Sequence, residues 1–194
     1  MAMKRADCLK MLAKYRTDEL VLTAWQSSAI WERLSPSKYN FPSVRTMGEC
    51  STFSLGLALA RPDKRIVVLE GDGSLCMNLA SLVTIAMAGP PNFYQFIMHN
   101  KMYETTGGQT LPNIDRLDLA MVARGAGISN VHRYGDLDAL DRELPGVLKE
   151  KGPVFVLLDI ETDETHVSGK QFGKVRSRDT FFNKQFREAL AGLK

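Results

Sequence analysis

Apolar positions along the chain follow two spacings that alternate from segment to segment. Short runs rich in β-branched and aromatic residues predict strands, and these runs are 19–24, 65–70, 93–98, 130–134 and 153–160. Longer segments with apolar residues every three or four positions predict helices, and these are 3–15, 27–34, 48–60, 74–88, 115–125, 136–149 and 179–193. The Pro- and Ser-rich segment 35–43 predicts a loop. Alternating strands and helices predict an α/β fold, and we expect a doubly wound, mostly parallel sheet of six strands flanked by helices.

The composition is that of one globular domain. The chain has 194 residues, of which 44% are hydrophobic and 24% charged, so we expect residues 1–194 to form a single domain. No apolar run is long enough to cross a bilayer, and the N-terminus lacks the apolar region of a signal peptide. We therefore expect a cytoplasmic protein without a membrane partner. The net charge is +3 with scattered basic residues, and nucleic-acid binding is not expected.

The cysteines and histidines form no metal or redox motif. The cysteines are far apart and include no Cys-x-x-Cys pair, which argues against a disulfide framework, a zinc site or an iron–sulfur cluster. The histidines lack the spacing of metal ligands, and we expect His132 and His166 to be surface or structural residues. The residues concerned are Cys8, Cys50, Cys76, His99, His132 and His166.

Polar residues follow two neighbouring strands of the predicted sheet. Asp72 comes just after strand 65–70, and Asn100 follows strand 93–98. Because the carboxyl ends of parallel strands lie at the same edge of a sheet, these two side chains should lie side by side. Mg²⁺ prefers oxygen ligands and usually keeps phosphate oxygens in its shell. A carboxylate oxygen of Asp72, the amide oxygen of Asn100 and the backbone carbonyl of Met102 are the ligands we predict.

The residues around Asp72 suit a phosphate group. Gly71 and Gly73 permit unusual φ values and a close approach of the backbone. A helix that opens at Ser74 would direct unpaired N–H groups at an anion. One short segment could therefore supply both a metal ligand and an anion cradle.

The central segment resembles the diphosphate-binding half of thiamine diphosphate enzymes. That family has Gly-Asp-Gly, a spacer of about this length and then Asn-Asn, and this chain reads RIVVLEGDGSLCMNLASLVTIAMAGPPNFYQFIMHNKMYETTGGQ. His99 stands where the family has its first Asn, whereas the ligand position, Asn100, is retained. Within the family, the loop NKMYETTGGQTLP and the opening MKRADCLKMLAKYRTDELVLT are most similar to phosphonopyruvate and sulfopyruvate decarboxylases.

The resemblance implies thiamine diphosphate and Mg²⁺ as cofactors and assigns their contacts. Met47 matches an apolar residue that wedges between the two rings of the cofactor, and we expect this role rather than ordinary core packing. We expect Met47 and Thr106 to serve catalysis, Thr106 from an active-site loop at 101–111. Whether Glu104 is an acid–base group or faces solvent is open. The predicted cofactor contacts are Met47, Gly71, Asp72, Gly73, Ser74, Asn100, Met102 and Tyr103, and the metal ligands among them are Asp72, Asn100 and Met102.

The other half of such a site is missing from this sequence. Family enzymes activate the cofactor with a glutamate on a pyrimidine-binding domain, so we expect an α-type partner subunit that supplies it. Glu49 is a weak substitute, because a carboxylate at a helix start is expected from the helix dipole alone. The implied function is the β-type subunit of a split decarboxylase acting on a small anionic 2-oxo acid. A carboligase similar to acetolactate synthase, a 2-oxoacid oxidoreductase and a non-catalytic cofactor-binding module remain alternatives, and we expect the isolated chain to form a homo-oligomer.

Overall fold

The computed structural model describes residues 3–41, 44–162 and 176–192. Its helices are α1 (Arg5–Lys14), α2 (Gln26–Leu34), α3 (Cys50–Ala60), α4 (Asp72–Cys76), α5 (Ser81–Ala88), α6 (Leu119–Gly125), α7 (Leu137–Val147) and α8 (Arg176–Ala191). Its strands are β1 (Leu20–Thr23), β2 (Asn40–Phe41), β3 (Ile66–Gly71), β4 (Phe93–His99), β5 (Met102–Tyr103), β6 (Gln109–Thr110), β7 (Asn130–Tyr134) and β8 (Val154–Asp159). The predicted end of the last helix at Leu193, and His166, lie outside the described residues.

Six strands form one sheet in the order β2-β1-β3-β4-β8-β7, and all their pairings are parallel. The predicted fold class and strand number are thus confirmed. Successive residues of a strand face opposite sides of the sheet. In β3, Ile66 and Val68 pack on one side with α3, α5, α6 and α8. Val67 and Leu69 pack on the other side with α1, α2 and α7.

The sixth strand lies inside the segment that we expected to be a loop. Asn40 and Phe41 pair with Val21 and Leu22 of β1. Two residues are too few to give an alternating pattern, and their extended conformation is fixed by the pairing with β1. The prediction of a loop at 35–43 was therefore wrong at these two positions.

The predicted helix 74–88 is two helices with a break between them. The first begins at Asp72 rather than at Ser74, and the second begins at Ser81. At the break, the carbonyl of Asn78 accepts hydrogen bonds from the Ser81 N–H at 3.1 Å and from its hydroxyl at 2.7 Å. A local Ser interaction of this kind competes with helical hydrogen bonding. The Asn78 side chain is turned away to another segment, and the apolar periodicity did not reveal this.

Two helix starts follow from their capping residues. Asp136 accepts the Ala139 N–H at 2.8 Å, so its predicted role as an N-cap is confirmed. The predicted helix 115–125 begins later, at Leu119, because Asp118 is the N-cap and accepts the N–H groups of Ala120 and Met121.

Candidate cofactor site

The site lies at the carboxyl edge of the sheet, beyond the two central strands. Gly71 of β3 is paired with Met98 of β4, so Asp72 and Asn100 follow neighbouring strand ends. Both residues are buried, with 1% and 6% of their surface exposed. They line a cleft that opens to solvent. All the predicted cofactor contacts line the same cleft: Met47, Gly71, Asp72, Gly73, Ser74, Asn100, Met102 and Tyr103.

The Asp72 carboxylate is held by three donors. Its Oδ1 accepts the Gly73 N–H at 2.8 Å, and its Oδ2 accepts the Lys101 N–H at 2.6 Å. His99 Nδ1 lies 2.8 Å from the same Oδ2. A carboxylate only accepts hydrogen bonds, so Nδ1 carries the proton in this contact. The residue that departs from the family's Asn-Asn pair therefore orients the predicted metal ligand, a role that the sequence analysis did not assign.

The Asn100 side chain is held by Glu104, a residue whose role could not be decided from the sequence. Its Nδ2 donates to Glu104 Oε2 at 2.8 Å, and its Oδ1 accepts the Met102 N–H at 3.3 Å. Glu104 points into the protein and forms an ion pair with Arg5, in which Arg5 Nη1 lies 3.3 Å from Oε1 and Nη2 contacts Oε2. Arg5 and Glu104 both line the cleft.

The backbone at Gly73 approaches the Met102 carbonyl closely. A Cβ at Gly73 would lie 2.9 Å from Tyr103 Cδ1 and 3.1 Å from the Met102 oxygen. Gly73 is therefore needed for the approach, as predicted. Gly71 is different, because it has φ −88° and a Cβ there would meet no atom within 4 Å. The expectation of unusual φ values at these two glycines was wrong.

Met47 precedes a tightly held turn. Gly48 has φ +88°, a conformation that glycine adopts without strain. Its N–H donates to Ser74 Oγ at 3.0 Å, and its carbonyl accepts from Asn78 Nδ2 at 3.0 Å. This pair of hydrogen bonds explains why the Asn78 side chain leaves the helix break, and it fixes the position of Met47 on the wall of the cleft.

A buried carboxyl group lies behind this turn. Glu70 Oε1 accepts the Ser74 hydroxyl at 2.6 Å, and Oε2 accepts the Ser51 hydroxyl and, at 3.3 Å, Gln95 Nε2. Burial raises the pKa of Glu70 above its ordinary value, although the two hydroxyls and the Gln95 amide oppose this shift. The Ser74 hydroxyl is thus committed to Glu70 and to Gly48, and only its backbone remains for an anion.

Comparison with known proteins decides the family. The sequence model of the thiamine pyrophosphate enzyme C-terminal TPP binding domain matches residues 22–158. The chain belongs to the thiamine pyrophosphate enzyme family. Thiamine pyrophosphate is another name for thiamine diphosphate. The resemblance to thiamine diphosphate enzymes that was predicted from the sequence is therefore confirmed.

Two relatives and one solved structure are similar to most of this chain. Phosphonopyruvate decarboxylase of Streptomyces hygroscopicus is 36% identical over 152 residues, which cover 78% of this chain and 37% of that protein. Sulfopyruvate decarboxylase subunit beta of Methanothermobacter thermautotrophicus is 34% identical over 169 residues, covering 86% of this chain and 87% of that subunit. A solved structure from Mycobacterium smegmatis, of a protein proposed to be thiamin diphosphate-dependent, superposes with a TM-score of 0.70 at 20% identity, over 84% of this chain and 32% of that one. The last likeness supports the fold alone.

The oxygen donors of the cleft suit Mg²⁺, the metal implied by the resemblance to thiamine diphosphate enzymes. A carboxylate, a side-chain amide and a backbone carbonyl are hard oxygen donors of the kind that Mg²⁺ takes. Within the described residues, no group of three or more His, Cys, Asp or Glu side chains could hold a metal ion. Gly73 has no side chain, so its backbone lies close to the Met102 oxygen. A diphosphate bound there would meet the backbone of Gly73 and not a side chain.

Two residues considered from sequence are not brought into the cleft. Thr106 is exposed, and its hydroxyl lies 3.3 Å from the Tyr103 carbonyl and 3.2 Å from Gln109 Oε1. Its neighbour Thr105 lines the cleft instead. Glu49 is exposed and accepts a hydrogen bond from the Thr52 hydroxyl at 2.8 Å, as expected for a carboxylate at the start of a helix.

The opposite wall of the cleft comes from the end of β1 and was not anticipated. Ala24, Trp25, Gln26 and Ser27 line it, and Trp25 has a φ of +46°. A positive φ at a bulky residue is uncommon and concentrates at functional sites. No sequence pattern indicated this part of the lining, because the apolar run 19–24 predicts a strand but not the conformation of the turn that follows it.

Elsewhere, His132 Nε2 lies 2.9 Å from Glu150 Oε2, away from the cleft, which agrees with the expected structural role.

Among the helices of the described ranges, none combines the length and apolar character needed to span a membrane.

Proposed function

We propose that this chain is the β-type subunit of a split thiamine diphosphate-dependent 2-oxoacid decarboxylase. One observation carries the proposal. Asp72, Asn100 and the Met102 carbonyl meet in a single cleft around Gly73, at the carboxyl edge of a parallel sheet, which is where open α/β folds bind their ligands. We further propose that the chain acts as a single cofactor-binding domain.

The residues of the cleft would have distinct tasks. Asp72, Asn100 and the Met102 carbonyl would hold Mg²⁺ and through it the diphosphate. Met47 would set the angle between the two rings of the cofactor. When bound, thiamine diphosphate supplies the carbon nucleophile and the electron sink for loss of CO₂ from a 2-oxo acid. The hairpin β5–β6 would cover the reacting atoms and exclude water.

The activating carboxylate is proposed to come from a pyrimidine-binding α-type subunit. Among the described residues, Asp72 and Glu104 are the carboxylates that line the cleft, and both are already hydrogen-bonded to groups of this chain. This chain covers 87% of a relative that is named as a β subunit. That name supports a partner subunit here.

The proposed substrate is a small 2-oxo acid with a second anionic group, such as sulfopyruvate or phosphonopyruvate. The support is the identity of 34–36% with decarboxylases that carry those names. A second anion offers binding energy that can be used at the transition state, so such substrates should react faster than pyruvate.

The test is to purify the chain with and without a candidate partner encoded beside it, and to measure CO₂ release from sulfopyruvate, phosphonopyruvate and pyruvate. We expect no turnover by the chain alone and decarboxylation by the assembled pair. Turnover by the chain alone would contradict the split site. Formation of an acetohydroxy acid from pyruvate would move the assignment to a carboligase, reduction of an added electron carrier would indicate an oxidoreductase, and cofactor binding without any reaction would indicate a non-catalytic module.

A further inference from the structure

A buried chain of polar contacts runs from the N-terminal helix to the predicted metal ligand Asn100. Arg5 contacts both oxygens of Glu104, and Glu104 Oε2 accepts a hydrogen bond from Asn100 Nδ2 at 2.8 Å. The side chains of Arg5 and Glu104 are only 7% and 6% exposed. A buried carboxylate is unfavourable without a partner, and the arginine neutralises it. Neither residue was given a role by the Gly-Asp-Gly and Asn motif.

The start of α1 is fixed at this edge of the sheet. Met3 forms a parallel bridge with Ile160, just beyond β8, and its carbonyl accepts the Glu161 N–H at 2.8 Å. Arg5 follows two residues later and reaches into the cleft. The arginine is therefore held by the sheet, and it can in turn hold Glu104.

The orientation of the Asn100 amide decides whether this residue can bind a cation. Its oxygen can do so, whereas its NH₂ group is a donor only. The Glu104 carboxylate is an acceptor, so it selects the rotamer in which the NH₂ faces away from the metal. At the other end of the amide, Oδ1 accepts the Met102 N–H at 3.3 Å and keeps a second lone pair for a ligand.

We propose that Glu104, held in place by Arg5, is a positioning residue that turns the Asn100 oxygen toward the metal. This inference rests on the proposed function, because it assumes that Asn100 binds Mg²⁺. The pairing with Arg5 has a second effect, since it compensates the charge of Glu104 and keeps that carboxylate from acting as a ligand itself.

The proposal predicts different effects of two neutral replacements of Glu104. In Glu104→Gln, the amide oxygen can take the place of Oε2, which contacts Arg5 Nη2 and accepts from Asn100 Nδ2, so the Asn100 amide keeps its orientation and Mg²⁺ affinity should stay near that of the wild type. In Glu104→Leu, no acceptor remains and the Asn100 amide is no longer held. Mg²⁺ affinity should then fall by about 10–100-fold, the usual effect of removing a group that orients a ligand.

The measurement is calorimetric titration of Mg²⁺ into the full-length chain, assembled with its partner subunit and saturated with thiamine diphosphate. Melting temperatures without Mg²⁺ and cofactor provide a second readout. Glu19→Leu is the matched control, because Glu19 is a buried carboxylate (3% exposed) that also pairs with an arginine, Arg65, at 2.9 Å. It precedes β1, at the opposite edge of the sheet, and should leave Mg²⁺ affinity unchanged.

Loss of Mg²⁺ affinity in Glu104→Leu that Glu104→Gln does not share supports the positioning role. Equal loss in the two variants, or a lower melting temperature at unchanged Mg²⁺ affinity, would mean that Glu104 acts by its charge or only holds α1, and would overturn the inference. If Asp72→Ala weakens Mg²⁺ binding but Glu104→Leu does not, the inference fails and the proposed function stands. If the wild-type assembly takes up no Mg²⁺ with thiamine diphosphate, both fail.

Discussion

At the residue scale, the Asp72 side chain accepts hydrogen bonds from Gly73, His99 and Lys101. On the proposed function, Asp72→Ala would remove the charged ligand of a site that balances Mg²⁺ against a diphosphate. We expect cofactor affinity at limiting Mg²⁺ to fall by more than the roughly 10–100-fold typical of residues that only support a ligand, as measured by calorimetry.

The control for this prediction is Asp159→Ala. Asp159 ends the neighbouring strand β8, where it pairs with Arg133 at 2.8 Å, and it does not line the cleft. Wild-type affinity in Asp72→Ala would show that the metal ligands have been assigned wrongly.

Substitution of Met47 tests the geometry of the bound cofactor rather than the affinity for it. If Met47 separates the two rings, Met47→Ala should lower kcat of the assembled enzyme by about tenfold or more while cofactor affinity changes little, because misplacement of reacting atoms is penalised in rate. Steady-state kinetics and cofactor titration measure the two effects. Small and equal changes in both would instead indicate that Met47 is core packing.

The raised pKa of Glu70 predicts a pH dependence of folding. Its carboxyl keeps its proton to a higher pH in the folded chain than in the unfolded chain, where its pKa is near the ordinary 4.5. The stability contributed by this group is therefore complete below that value and is lost as the pH rises through the raised folded-state pKa.

Glu70→Gln cannot ionise and should lack this loss. The free energy of unfolding of the variant, relative to wild type, should therefore increase as the pH is raised. Urea unfolding of the cofactor-free chain at several pH values measures it. A difference between the two proteins that does not vary with pH would contradict the expected titration.

The residues of the site could be predicted from the sequence only where they belong to a local motif. Asp72, Gly73 and Asn100 stand at fixed places after predicted strands, and the rule that parallel strand ends meet brings them together. Arg5 and Glu104 are separated by 99 positions, and their contact depends on how α1 is anchored beside β8. No spacing in the sequence encodes that contact.

At the element scale, α4 and the hairpin β5–β6 are packed too closely to admit a side chain at Gly73. Gly73→Ala should displace Tyr103 and the Met102 carbonyl, which are 2.9 Å and 3.1 Å from the added Cβ. We expect destabilisation of about 1–3 kcal/mol, as for other overpacked sites, measured by denaturant unfolding without cofactor.

Gly71→Ala is the matched control for that experiment. Its Cβ would meet no atom within 4 Å, and its φ of −88° suits any residue, so the free energy of unfolding should change by no more than about 0.5 kcal/mol. Equal destabilisation by the two alanines would mean that the contact with the hairpin is not the cause.

The boundaries of elements were less predictable than their types. The five strands expected individually are all present, because each is a buried apolar run. At the break between α4 and α5, Asn78 accepts hydrogen bonds from Ser81, and its side chain bonds to Gly48, 30 positions away. The strand Asn40–Phe41 depends on β1 for its hydrogen bonds. Both features include a tertiary contact that the local apolar pattern does not reveal.

At the scale of the whole molecule, the two helical layers differ in their outer surfaces. Among the described residues, most exposed large hydrophobic side chains lie on α3, α5 and α6, and they are Phe53, Leu59, Val83, Met87 and Met121. The other layer has Leu34, at the end of α2. Exposed apolar surface of this kind favours association.

We therefore expect the isolated chain to form a symmetric homo-oligomer, detectable by analytical ultracentrifugation. Met87→Glu, at a side chain that is 82% exposed, should shift the equilibrium toward monomer by about tenfold or more, as removal of one well-packed contact does. Leu34→Glu on the other layer should leave the equilibrium unchanged. A monomeric wild-type chain would contradict this expectation.

The strand order has a consequence for how a bound cofactor could leave. β3 and β4 each have a parallel partner on both sides, so their amide protons should be among the last to exchange with solvent. The Met102 carbonyl instead belongs to a hairpin held by two residue pairs, Met102–Thr110 and Tyr103–Gln109. Opening of that hairpin needs no unfolding of the sheet. The residence time of the cofactor would then be set by a small surface element, while Asp72, the residue proposed to anchor it, directly follows the slowly opening strand β3.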